Sequence, residues 1–211
     1  MRTGDRAMLV TAEDQEKVGA AIAAAERLTS GEIVAVIARS SANYVSVAPL
    51  VAALVALVVP WPLIYFTWMP VQTIYLIQLV VFLLVAAIAY YPPMRLALVP
   101  SSIKRERAHR RAEEQFIAQN LYTTAGHTGV LIFISVAERY AEIIADRNIY
   151  DRVPKDTWQG LVDRLTIKIA DGEAAEGLVG AISGTGALLA KHFPPGSANP
   201  DELPNHLIVI D

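Results

Sequence analysis

Five acidic side chains, Glu138, Glu142, Asp146, Asp151 and Asp156, crowd into residues 138 to 156 among Arg139, Arg147 and Arg152. Carboxylates at that density can hold a hard cation or move protons. On a strand, Glu142 and Asp146 share a face but stand about 13 Å apart, too far to grip one ion together. Asp146 and Asp151 flank a short loop at the strand's end, a better place for Ca²⁺ or Mg²⁺ held by carboxylates and carbonyls. The competing reading is a set of surface ion pairs around a turn, Asp146 with Arg147 and Asp151 with Arg152. His127, between Gly126 and Thr128, is placed to hold a phosphate or move a proton at the mouth of a sheet, or simply to fix its loop through the ring nitrogens. His109, His192 and His206 have no metal-ligand spacing, and there is no Asp-x-Asp-x-Asp loop, His-Glu-x-x-His helix or Gly-rich phosphate loop. With no cysteine in the chain, disulfides, thiolate metal sites and cysteine nucleophiles are excluded.

A second cluster is basic. Lys104, Arg105, Arg107, Arg110 and Arg111 fall in one short run with Glu106 and His109. Anionic headgroups attract such a segment by about 1 kcal/mol per basic side chain near the surface. The same residues could instead do no more than orient a neighbouring membrane segment. Residues 95 to 111 carry a net charge of +5 and residues 112 to 211 a net of −7, so the body is acidic; it also lacks interleaved aromatics, which argues against nucleic-acid binding.

These groups must be positioned around an unusual block. Between Arg39 and Arg95, residues 40 to 94 hold no Asp, Glu, Lys or Arg, although the 211-residue chain has 39 such side chains. Residues 45 to 65 and 71 to 91 are each about the 20 residues that an apolar helix needs to cross a bilayer core. Unpaired backbone groups are not tolerated in hydrocarbon, so two helices joined by a tight turn are expected over residues 44 to 99. Pro49 falls in a first turn, whereas Pro60 and Pro62 should kink or end the first helix. Trp61, Tyr65, Phe66, Trp68 and Tyr75 cluster about the turn like an interfacial belt. A buried hairpin in a soluble core is the alternative, but some 156 remaining residues are too few to wrap it. Arg39 and the basic residues after position 94 flank the same side and the turn carries none, which places both soluble segments in the cytoplasm, with an inner-membrane location for the protein. Residues 1 to 11 hold Arg2 and Arg6 but no apolar run, so no secretory signal is expected. Within the spans, Gln78 wants a polar partner in the hairpin or on a helix of another protein, and Ala52 and Ala56 on the first span permit close helix contact.

The polar remainder reads as one interrupted α/β domain. Thr11 and Asp14 resemble a capping box, followed by a helical stripe of Val18, Ile22, Ala25 and Leu28, with Glu16, Lys17, Glu26 and Arg27 set away from it and Gly31 closing the helix. Residues 32 to 38 form an apolar run suited to a strand covered on both faces. A helix is expected from position 101 to about 121, a strand over 129 to 136, a turn at Ala137 and Glu138, and a strand over 139 to 146 for which a helix is the alternative. Two helices follow, over 154 to 170 and 173 to 192. Parallel pairing is expected for the first two strands, which are joined through a helix. Residues 1 to 39 and 100 to 193 are thus two pieces of one fold, and 194 to 211 a tail in which Leu207, Ile208, Val209 and Ile210 are capable of a further strand.

Three stretches taken together carry a resemblance: Thr29-Ser30-Gly31-Glu32-Ile33-Val34, Gly126-His127-Thr128-Gly129-Val130-Leu131-Ile132-Phe133, and Glu138-Arg139-Tyr140-Ala141-Glu142-Ile143-Ile144-Ala145-Asp146-Arg147. They resemble the TPM domain family, in particular its membrane-protein branch with a transmembrane pair inside the domain. The resemblance implies an α/β/α sandwich around a small mixed sheet. Many relatives carry the domain behind a signal peptide, a pattern from which this sequence departs. It further implies either an auxiliary role in a larger membrane protein complex, with an integral-membrane partner, or a metal-dependent, acid-phosphatase-like hydrolase.

Overall fold

The computed structural model describes residues 10–124, 126–196 and 202–210; Arg2, Arg6 and part of the tail from 194 to 211 lie outside the described residues. These divide into two compact units, one built from the residues up to Ser41 and from Arg107 onward, the other from Ala42–Glu106.

Helix α1, Ala12–Glu26, begins with the expected capping box: Thr11 accepts from the Asp14 N–H, and the Asp14 carboxylate accepts from the Thr11 N–H at 3.0 Å. Val18, Ile22 and Ala25 are buried, as their spacing required. Two expectations fail at its end. Leu28 is 61% exposed while Glu26 is only 8% exposed, because the helix stops at Glu26 and the chain turns before the stripe reaches Leu28. Gly31 therefore closes the following turn and not the helix. Strand β1, Glu32–Ala38, is buried along its whole length. Each of its Val and Ile side chains contributes about 1.5–3 kcal/mol by leaving water.

The second unit holds the apolar block. Helices α2, Val47–Val58, and α3, Pro60–Phe66, form one span broken at Val59, where Pro60 removes an N–H from the ladder as expected. Helix α4 is Val71–Tyr90 and the short α5 is Pro92–Ala97. Ala48, Ala52 and Ala56 form the buried stripe of α2, which packs along α4. The stretches Val47–Phe66 and Val71–Tyr90 are each 20 residues, long and apolar enough to cross a membrane. Only 17% of the first and 6% of the second is buried, the opposite of a soluble core helix.

Helix α6, Ser101–Ala118, leads through a 3-10 turn at Leu121–Thr123 to strand β2, Gly129–Ser135. A turn then reverses the chain into strand β3, Tyr140–Ala145, with Arg139 in the left-handed region at φ 52°. A four-residue helix, α7 (Arg147–Tyr150), stands where a loop was expected; Asp146 caps it, accepting from the Arg147 N–H. Helices α8, Lys155–Ala170, and α9, Ala174–His192, follow the expected pattern, and the last described element is strand β4, Leu207–Ile210. The sheet runs β3-β2-β1-β4, with β1 parallel to both neighbours and β3 antiparallel to β2. One face packs Ile33, Ala35, Ile37, Ile132 and Ile134 against α1, α8 and α9. The other packs Val34, Val36, Leu131 and Phe133 against Ala112 and Phe116 of α6. The first unit is thus an α/β/α sandwich on a mixed sheet.

Candidate functional site

The three motif stretches meet where β1 and β2 begin and β3 ends. The Thr29 hydroxyl donates to the Phe193 carbonyl at 2.7 Å and accepts from the Gly31 N–H at 3.2 Å. The Thr128 hydroxyl donates to the Ser30 carbonyl at 2.9 Å, and the Thr128 carbonyl accepts from the Glu32 N–H at 3.1 Å. Gly31 is closely packed: a Cβ there would lie 2.9 Å from Leu189 Cδ1 and 3.1 Å from the Thr128 carbonyl oxygen. Two buried carboxylates finish the edge. Glu26 accepts the Ile33 N–H at 2.8 Å, and Glu32 accepts the backbone N–H groups of Glu202 and Leu203 at 3.4 and 3.3 Å. Much of what the sequence marks as motif is therefore the stitching of this edge.

Its outer side carries the group with chemical capacity. His127 sits at φ 49°, its N–H donating to the Thr124 carbonyl. The imidazole is 63% exposed, with Nδ1 3.4 Å from Asp146 Oδ2, and the Asp146 side chain is only 15% exposed. That separation is an ion-pair contact longer than a hydrogen bond. Asp146 Oδ2 is buried and makes no hydrogen bond, whereas Oδ1 caps α7. Asn148 donates to the Gly126 carbonyl at 3.1 Å and holds the loop that carries His127. An exposed imidazole backed by a carboxylate can pass a proton to or from a ligand.

Asp151, the other candidate ligand, is exposed at the C-terminal end of α7. Among the described residues, no three His, Asp or Glu side chains gather into a set that could hold a metal ion. The orphaned Asp146 oxygen fits one position of a hard cation. Such a site suits Mg²⁺, which keeps several waters and takes one or two carboxylates, better than Ca²⁺ with its six to eight oxygens.

Glu142 and Glu138 are engaged elsewhere, and Asp156 is exposed in the first turn of α8. Glu142 on β3 lies 2.9 Å from His109 Nδ1 and accepts from the Tyr140 hydroxyl at 3.0 Å, while His109 Nε2 lies 3.4 Å from Glu113. Hydrogen bonding to Glu142, reinforced by the charges of Glu142 and Glu113, raises the His109 pKa. The sequence offered a signal here that was missed: His109 and Glu113 share a helix face four residues apart. Glu138 is buried at the opposite end of the sheet, where it accepts from Ser135, from the Ser40 hydroxyl at 3.0 Å and from the Ser41 N–H at 3.1 Å. It pins the point at which the chain leaves β1.

Of the basic residues, Lys104 donates to the Leu96 carbonyl at 3.4 Å and Arg111 pairs with Glu114 at 3.0 Å. Arg105, Arg107 and Arg110 are exposed along α6. In the apolar unit Ala52 and Ala56 are buried, and Gln78 faces a groove beside Ala56.

Residues 92–188 match the family model described as the TPM domain, a span that takes in the second and third motif stretches and leaves the first outside. No curated protein matches the sequence. The fold is similar to the NMR structure of the BA42 protein from the psychrophilic bacterium Bizionia argentinensis, with a TM-score of 0.61 and 21% identity over 97% of this chain and 98% of that one. At such identity the likeness speaks for the fold alone. The matched segment is similar to the TPM domain, and the fold is the α/β/α sandwich that the resemblance implied.

Proposed function

We propose that the protein is a membrane-anchored accessory factor whose TPM domain lies on the cytoplasmic side of an inner membrane and binds or stabilises a larger membrane protein complex. The observation that carries this reading is the pair of 20-residue apolar helices, 17% and 6% buried, whose surfaces are left for lipid or for other spans. Arg39 on one flank and Arg95, Lys104, Arg105 and Arg107 on the other, with no basic residue in the intervening turn, favour a hairpin with both soluble segments inside. Arg105, Arg107 and Arg110 on α6 then serve the lipid headgroups, because a helix this close in sequence to the last span stays near the surface. Gentle detergent extraction followed by native sizing tests the proposal. The expected species is larger than two chains of 22.9 kDa and contains a second membrane protein; a strict monomer, or a dimer alone, across several mild conditions contradicts it.

The orphaned Asp146 oxygen beside His127 favours a second reading, a membrane-tethered phosphate-ester hydrolase. In it Asp146 and Asp151 hold Mg²⁺, which would supply charge neutralisation at the phosphate, and His127 moves a proton. Phosphatase activity of the purified protein should fall at least a hundredfold in Asp146→Asn and in His127→Gln. Activity unchanged in both removes this reading.

A further inference from the structure

The apolar unit contains a groove of about 350 Å³ that opens between α2 and α4. Ala53, Ala56 and Leu57 form its α2 wall, and Tyr75, Gln78, Leu79 and Phe82 its α4 wall. On α2 the stripe Ala48, Ala52 and Ala56 closes the hairpin, so the two spans already satisfy each other's packing. The Gln78 carboxamide is not satisfied by that packing. It is half-buried, the groove wall opposite it is apolar, and among the described residues it has no hydrogen-bond partner.

Depth makes this consequential. Gln78 is the eighth residue of α4, so at a rise of 1.5 Å per residue it lies about 10 Å inside a hydrocarbon core about 30 Å thick. A glutamine side chain is too short to reach headgroups from there, and lipid offers neither donor nor acceptor. A polar partner must come from another span.

We propose that this groove is the contact surface for a second copy of the chain, with the two Gln78 carboxamides paired across a two-fold axis. The argument for a copy is complementarity. A carboxamide carries both donors and an acceptor, so two of them related by a two-fold satisfy each other, Nε2–H to Oε1 in both directions. A foreign span bringing a charge would find none to meet it, because residues 40 to 94 hold no acidic or basic side chain. The shallow wall at Ala53 and Ala56 lets the second hairpin approach closely enough for the amides to meet.

The inference rests on the hairpin lying in a bilayer, as proposed above, but is independent of the partner complex. The chain has no cysteine, so single cysteines report directly. Leu79→Cys and Ala53→Cys, oxidised in native membranes, should each give a disulfide-linked dimer, while Leu84→Cys, on the far face of α4, should not. Adding Gln78→Leu should lower the dimerisation constant about threefold to about fifteenfold, the range that one interhelical hydrogen bond supports. Membranes are washed with alkaline carbonate first. Release of the protein there would overturn the membrane reading itself. Retention without a dimer, a dimer indifferent to Gln78→Leu, or a mixed disulfide with another protein alone would overturn the self-association.

Discussion

The hydrogen bonds of His109 separate two kinds of histidine in this chain. On α6 its ring lies between Glu142 and Glu113, and the hydrogen bond to Glu142 raises its pKa above the usual 6.5. A raised folded-state value means that the pair stabilises the fold fully below pH 6.5 and ceases to do so as pH climbs through the raised value. With the ring half exposed, the increment is small. An NMR titration should place His109 above 6.5, and Glu142→Gln should bring it down; a His109 titrating at or below 6.5 in the native chain contradicts the geometry. Burial decides a second case. Glu26 holds the first free N–H of β1 from a position 8% exposed, so Glu26→Ala should cost about 1–3 kcal/mol in thermal unfolding, the penalty for an orphaned buried donor. Helical spacing assigned Glu26 to solvent, and spacing could not have shown otherwise: the carboxylate is buried by a strand seven residues later, a tertiary fact.

At the scale of elements, what was local in origin was readable. The capping box at Thr11, the break before Pro60 and the unbroken apolar runs of β1 and β2 all follow from short-range chemistry, and the parallel pairing of those strands from the handedness of a connection through a helix. The short α7 escaped because four residues carry no periodicity and its cap is Asp146, which the charge pattern had cast as a ligand. The docking of β4 stayed open because nothing in Leu207, Ile208, Val209 and Ile210 names β1 as its neighbour. Deleting residues 204–211 should bare that side of β1, lowering the unfolding midpoint and promoting association through the exposed edge; light scattering and a melting curve check both. Helix α9 packs through glycine. At Gly186 a Cβ would sit 2.6 Å from the Ala25 Cβ and 3.2 Å from its Cα, and neither can move aside. Gly184 faces only the flexible end of Leu161. Gly186→Ala should therefore destabilise by about 1–3 kcal/mol, and Gly184→Ala by clearly less, on the same denaturant curve.

For the molecule as a whole, the physical premise is a domain whose chain departs after β1, runs through two apolar helices and returns to complete the same sheet. The sheet itself records the return: β1 lies before the apolar block in sequence and β2 after it, yet they pair in register along seven residues. The charge gap told of the block, and the motif stretches on either side told of the rejoined domain. Neither could reveal that the stretches serve chiefly to stitch one edge, since that requires seeing Thr29 reach Phe193 and Thr128 reach Ser30. Accessibility of single cysteines to a membrane-impermeant maleimide in intact cells tests this premise most directly. Trp68→Cys in the turn should label from outside, while Glu13→Cys and Gln159→Cys, both exposed on the domain, should label only after the membrane is opened. Labelling of Glu13→Cys or Gln159→Cys in intact cells, or a Trp68→Cys that stays silent until permeabilisation, would contradict it.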